Sequence, residues 1–305
     1  MRFFKNNPRM SESIIDAHHH IWRQADQPWL QGPTVPRIFG AYDSIKRDYP
    51  VEEFKADLAD TGVVKSVYVQ TNWLPARAVD EVAWVQSEAD RAGWPHAIVS
   101  FIDMQSEDAP QVMQAQSRFP LMRGARQQLH WHEKELYRFA PRPDMMNTAV
   151  FRKNMAHLAD YGWSFDLQVF TPQMADAAGL AAAFPATKFI LLHAGMLEDL
   201  SAQGHAAWHD GMKRLAAQPN VYTKFSGLGT FIRRNDPQHI ADIVGATVAL
   251  FGADRCMWGS NFPVEKIWTD YASIVAAIRG AVAGFGAKER AAILHDTAAR
   301  VYRLG

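Results

Sequence analysis

The sequence predicts one closed (β/α)8 barrel in a single domain, and three observations predict it. About eight short apolar runs recur along the chain, helix-period stretches separate them, and no linker-like Pro/Gly/Ser tract interrupts the 305 residues. Apolar runs of roughly four to eight residues joined by crossover helices imply parallel strands buried on both faces. Eight such units need roughly 250 residues, which this chain supplies.

Taken in order, the strand candidates are Ser13 to His18, Val63 to Gln70, His96 to Met104 and Leu121 to Gln127, followed by Ser164 to Phe170, Lys188 to Ala194, Asn220 to Ser226 and Arg255 to Ser260. The helical stretches between them are Val51 to Asp60, Ala76 to Ala92, Ala109 to Arg118, Thr148 to Tyr161, Pro172 to Ala183, Ala206 to Ala217, Pro237 to Phe251 and Tyr271 to Val282. An extra helix, Lys288 to Tyr302, closes the chain. Gly62, Gly93 and Gly162 stand where three helices must stop, and Pro172 and Pro237 where two begin. A doubly wound open sheet would carry a phosphate-binding glycine cluster after its first strand. Here Ile15 is followed by Asp16, Ala17 and three histidines.

Composition narrows the function. Hydrophobic residues make up 48% and charged residues 21%, so the chain buries a core and is not a disordered tail. Lys+Arg and Asp+Glu both number 32, so no global field draws the protein to nucleic acid or anionic lipid. No apolar run approaches the roughly 20 residues of a membrane span. Residues Met1 to Ser13 have no apolar core like that of a secretory signal, and the lone Cys256 cannot close an internal disulfide. The expectation is a cytoplasmic protein with a small-molecule partner, with a homo-oligomer left open.

The chemistry concentrates in Asp16-Ala17-His18-His19-His20. Strand alternation sends His18 and His20 to one face and His19 to the other. Two imidazoles at the C-terminal end of a first barrel strand can chelate a divalent ion or bond a substrate carbonyl. A surface metal-collecting tract is the bland alternative. His193, the polar residue that follows Phe189-Ile190-Leu191-Leu192, joins the same rim, and Asn261 follows the eighth strand within Gly259-Ser260-Asn261-Phe262-Pro263.

These motifs resemble the amidohydrolase superfamily, in particular its amidohydrolase-2 branch and the lactonase group that includes 2-pyrone-4,6-dicarboxylate lactonase and L-fucono-1,5-lactonase. The likeness extends to Gln27-Pro28-Trp29-Leu30 and Pro95-His96-Ala97-Ile98-Val99. It implies that His18, His20 and His193 bind or polarise the scissile carbonyl, directly or through one divalent ion, zinc before others. Two departures qualify it. The family ordinarily carries Asp at the position of Asn261, where a carboxylate activates the hydrolytic water. An amide takes no proton near neutral pH, and losing a general base costs on the order of 10² to 10⁴ in rate. His19, His130, Glu265 or a substrate carboxylate are the candidate replacements. Binuclear members also use a strand-four lysine, whereas the fourth strand here has Arg123 and Arg126, so at most one ion, or none, is expected.

Gln70, Asn72 and Trp73 after the second strand, and Arg126, Gln128, His130, Trp131 and His132 around the end of the fourth, supply a polar and aromatic pocket. Arg126 offers a planar fork for a carboxylate, and Lys224, Arg233 and Arg234 add positive charge near the seventh strand. Trp22, Trp29 and Trp73 can stack on a ring. The substrate-binding set is therefore Gln70, Trp73, Arg126, His130 and Lys224, with His18, His20, His193 and Asn261 catalytic. Together with the resemblance, the residues imply hydrolysis of a lactone of a small sugar acid or carboxylated acid. The alternatives are metal-dependent non-oxidative decarboxylation of an aromatic acid, and a non-catalytic barrel that binds a small acid.

Overall fold

Eight strands pair in parallel and in sequence order: β1 (Ile14–His19), β2 (Val63–Val69), β3 (Ala97–Phe101), β4 (Met122–Gln128), β5 (Ser164–Gln168), β6 (Phe189–Leu191), β7 (Val221–Phe225) and β8 (Cys256–Trp258). The structure is a computed structural model and describes residues 12–305. The reading of residues 1–13 as lacking a secretory core thus falls almost wholly outside the described residues. Helices α1 (Val51–Asp57), α2 (Ala78–Ala92), α3 (Ala109–Gln116), α4 (Ala149–Ala156), α5 (Met174–Ala183), α6 (Ala202–Ala216), α7 (Pro237–Phe251) and α8 (Tyr271–Val282) surround the sheet. This is the single-domain (β/α)8 barrel the alternation predicts. None of the helices among the described residues is long and apolar enough to cross a membrane.

Local chemistry places the boundaries. Gly93 ends α2 at φ 75°, donating its N–H to the Ala89 carbonyl, and Gly162 takes φ 62° after the 3-10 turn His157–Tyr161 that finishes α4. Thr148 caps α4 by accepting from Phe151 N, and Asp236 caps α7 by accepting from Gln238 N and His239 N. The closing helix is broken into α9 (Ala287–Ala291) and α10 (Thr297–Tyr302) by a π-helical turn at Ala292–Asp296. It seals the barrel floor, where Tyr302 is fully buried and its hydroxyl donates to Asp166 Oδ1 at 3.3 Å.

Hydrogen-bonded pairing runs from β1 round to β8, and loop residues stitch the two end strands together. Asn261 N donates to the His18 carbonyl at 2.7 Å, and His20 N donates to the Phe262 carbonyl at 2.7 Å. Buried Asp16 accepts from His18 N, Ser260 N and the Tyr271 hydroxyl at 3.0, 2.8 and 2.8 Å. Close approach requires a glycine at 259, because a Cβ there would lie 2.6 Å from the His18 Cβ. The histidine run therefore sits on the seam where the first and last strands meet.

Candidate active site

The seam delivers two of the three imidazoles and the loop after β6 delivers the third. His18 lies with its ring centroid 5.1 Å from His20 and 5.0 Å from His193. His19 points the other way, as alternation requires, and stacks on Phe54 at 3.9 Å. Sequence placed His193 on the strand itself. The structure ends β6 at Leu191 and turns His193 and Ala194 into the left-handed region, with φ 55° and 47°. That uncommon backbone swings the ring back over the barrel mouth, and Gly227 makes room for it: a Cβ there would sit 2.8 Å from His193 Nδ1.

Partners fix two of the tautomers. His20 Nδ1 lies 2.7 Å from the Val69 carbonyl, and His193 Nδ1 lies 3.0 Å from the Ser226 carbonyl and 2.9 Å from the Ser226 hydroxyl, which can accept alongside that carbonyl. A carbonyl only accepts, so both Nδ1 atoms carry hydrogen and both Nε2 atoms present lone pairs. Neither ring nitrogen of His18 has a partner. Burial, with Arg126 as the next cause, pushes His20 and His193 down to about 3, and burial with Lys224 pushes His18 down as well. All three rings are neutral near pH 7.

A cavity of about 630 Å³ opens above this cluster. His20, His193, Asn261, Gln70, Arg126 and His130 all line it. Arg126, 5% exposed, donates only to neutral oxygens: the Gln70 carbonyl at 3.2 Å and Gln168 Oε1 at 2.5 Å. Its Nε and the Gln70 amide nitrogen are buried donors with no acceptor, and Gln128 Oε1 is a buried acceptor with no donor. Burial holds the guanidinium down to about 10, still charged at neutral pH. Trp22 and Trp29 form one wall, and Val35, Leu136 and Phe139, exposed at 61%, 43% and 45%, form an apolar rim at the mouth.

Other expected residues stand apart from the cavity wall. His18 is fully buried behind it. Lys224, fully buried too, is tied to Asp166 at 2.7 Å deeper in the barrel. Trp73 stacks on Trp84 at 5.9 Å, with Arg77 over its ring at 4.7 Å. Arg234 pairs with Asp236, and His132 lies 3.5 Å from Glu198. Glu265 lies behind Asn261 and is lifted to about 7 by burial. Sequence reasoning passed over Gln168 and Ser226. Gln168 is the last residue of β5, a polar side chain at a strand's C-terminal end as Gln70 is just past β2, whereas the part Ser226 plays depends on the turn at His193.

Whether these residues suit a resident divalent ion is a question of donor chemistry. Two imidazoles anchored through Nδ1 to carbonyls match the way ligating histidines are held. Against that, Asn261 contributes no charge, Arg126 and Lys224 add positive charge, and among the described residues no three His, Cys, Asp or Glu side chains gather into a group that could hold a metal. The set expected from sequence, His18, His20 and His193, does not fit an ion as it stands. No step below passes through one.

The family described as Amidohydrolase matches residues 15–304. An uncharacterized protein, y4mH, of Sinorhizobium fredii is 35% identical over 96% of this chain and 99% of its own. An L-fucono-1,5-lactonase of Burkholderia multivorans is 31% identical over 95% of this chain and 96% of its own. A crystal structure of an amidohydrolase from Burkholderia multivorans with bound zinc superposes with a TM-score of 0.80 at 28% identity, covering 96% of this chain and 100% of that one.

Proposed function

The chain belongs to the amidohydrolase family and is a hydrolytic enzyme, and from that premise we propose that it opens the lactone ring of a small sugar acid or carboxylated lactone. The observation that carries the reading is one cavity in which neutral imidazole lone pairs and the unpaired donors of Arg126 and Gln70 meet. Ester hydrolysis needs both kinds of group, acceptors for a water and donors for an oxyanion. The likeness to a lactonase along nearly the whole chain supports the cyclic ester.

In this reading the lactone carbonyl oxygen lies against Arg126 Nε and the Gln70 amide, whose hydrogens strengthen their bonds as negative charge develops. The His20 Nε2 lone pair and the Asn261 amide oxygen hold the attacking water, with His193 beside it. As its oxygen bonds to the carbonyl carbon, a proton passes to His20 Nε2. The low proton affinity of that ring in the free site rises beside the forming oxyanion. Collapse of the tetrahedral adduct breaks the ring C–O bond, and the proton returns to the departing oxygen. A lactone is activated enough to tolerate the absent Asp carboxylate. His18 backs the cluster, and His130 shapes the wall.

The test is acid release from L-fucono-1,5-lactone, other 1,4- and 1,5-aldonolactones and 2-pyrone-4,6-dicarboxylate. We expect turnover of at least one, and a loss of about 10² to 10³ in kcat/KM for Arg126→Met, as for removal of an oxyanion donor. Carbon dioxide release from aromatic acids with no ring opening would replace this reading by decarboxylation. Binding of lactones or acids without any turnover would replace it by a non-catalytic barrel.

A further inference from the structure

Glu265 is 4% exposed and is not among the residues that line the cavity. Its two oxygens face two donors. Trp268 Nε1 donates to Oε2 at 2.9 Å, and Asn261 Nδ2 donates to Oε1 at 3.4 Å. An indole N–H can only donate, so the bond to Trp268 has a fixed direction. An amide that gives its nitrogen to Glu265 turns its oxygen away from it, and Asn261 lines the cavity together with His20. His20 is held through Nδ1 by the Val69 carbonyl and presents Nε2 as a lone pair.

Two acceptors thus face one spot at the cavity edge, and neither can satisfy the other. A water satisfies both, with one hydrogen to each, which leaves its own lone pairs directed at a substrate. Were the amide reversed, Asn261 Nδ2 would donate to His20 Nε2 and close the place. We infer that Glu265 is a positioning residue that holds the Asn261 amide in the open direction, keeping Asn261 Oδ1 and His20 Nε2 free for the hydrolytic water. The inference rests on the lactone-hydrolase reading.

Glu265→Gln tests it with the side-chain shape unchanged. Trp268 claims the single oxygen of the new amide, whose nitrogen then faces Asn261 and draws its oxygen inward, so the Asn261 amide reverses. With Asn261→Asp the logic inverts: two buried carboxylates face each other in the single variant, and glutamine at 265 becomes the better neighbour. The expected result is a loss of at least tenfold in kcat for Glu265→Gln, with KM within about twofold. In the Asn261→Asp background the same change raises kcat. A similar loss in both backgrounds, or none in the parent, overturns the proposal, because a merely structural glutamate would not reverse sign. Glu265→Met, which leaves Asn261 unanchored, gives the same direction of loss should the glutamine variant fail to fold. If the parent opens no lactone, the functional reading fails separately, and ¹⁵N-histidine NMR still decides this one. The His20 Nε2 resonance must shift in Glu265→Gln as its water donor is replaced by the Asn261 amide N–H; an unchanged resonance overturns the inference.

Discussion

Gly227 sets how much room the site has. It adopts φ 60°, and an added Cβ would stand 2.8 Å from His193 Nδ1 and 3.2 Å from Asn261 Nδ2. Left-handed backbone alone costs a non-glycine residue about 1–2 kcal/mol. Gly227→Ala should therefore lower the melting temperature modestly and cut turnover at least tenfold, because Asn261, displaced with His193, holds the water; calorimetry and kinetics on the same sample separate the two effects. His130 gives a pH prediction. Burial, with Arg126 second, lowers it to about 3 from an ordinary 6.5. A group depressed on folding contributes stability above its unfolded pKa and loses it as pH falls towards the folded one. Between pH 7 and 5 this ring alone should cost about 2 kcal/mol of stability. Urea unfolding of parent and His130→Leu at the two pH values should show the parent falling further by that amount. At this scale alternation was enough to read His18 and His20 as one pair and His19 as its opposite. The turn that brings in His193 was not readable, because a left-handed backbone at an ordinary residue leaves no mark in composition. The Lys224 pairing with Asp166 depends on β5 and β7, the two neighbours of β6, both turning these side chains into the barrel, a proximity no local pattern reports.

Among the elements, the seam between β1 and β8 decides whether a site exists. Asp16 accepts three hydrogen bonds there, which oppose the burial that lifts it to about 6. Tyr271→Phe removes one donor from a buried oxygen, a change worth about 1–3 kcal/mol. We expect a loss of that size by chemical denaturation, with lower activity because His18 and Asn261 hang from the same junction. A stability unchanged within error would show that the hydroxyl bond contributes nothing. Element identity was legible: eight strands and the eight helices that follow them overlap the expected stretches, and α7 and α8 match to the residue, whereas the closing helix expected as one piece is two. Their ends were less so. The apolar run from 188 to 194 reads as seven residues of strand, yet β6 keeps only Phe189–Leu191, because the chain leaves the sheet early to make the His193 turn.

For the molecule as a whole, the barrel interior is divided. Below the imidazoles the fully buried pair Lys224–Asp166 is covered by Tyr302 from the closing helix. Removing one partner leaves a buried charge, so Lys224→Met should cost about 3–5 kcal/mol, while Lys224→Met with Asp166→Leu should recover much of it. Elemental analysis of protein purified without a polyhistidine tag should find less than one equivalent of metal per chain, since Arg126 and Lys224 bring positive charge to the three histidines and Asn261 brings no negative charge. A full equivalent of tightly held ion would overturn that reading of the donor set. The seam has one more consequence, and it concerns synthesis. His18 and Asn261 are separated by most of the polypeptide yet share a hydrogen bond. A nascent chain emerging from the ribosome carries this histidine run long before its partners exist, so no product terminated ahead of residue 261 can work, and catalytic competence waits until translation has passed that residue.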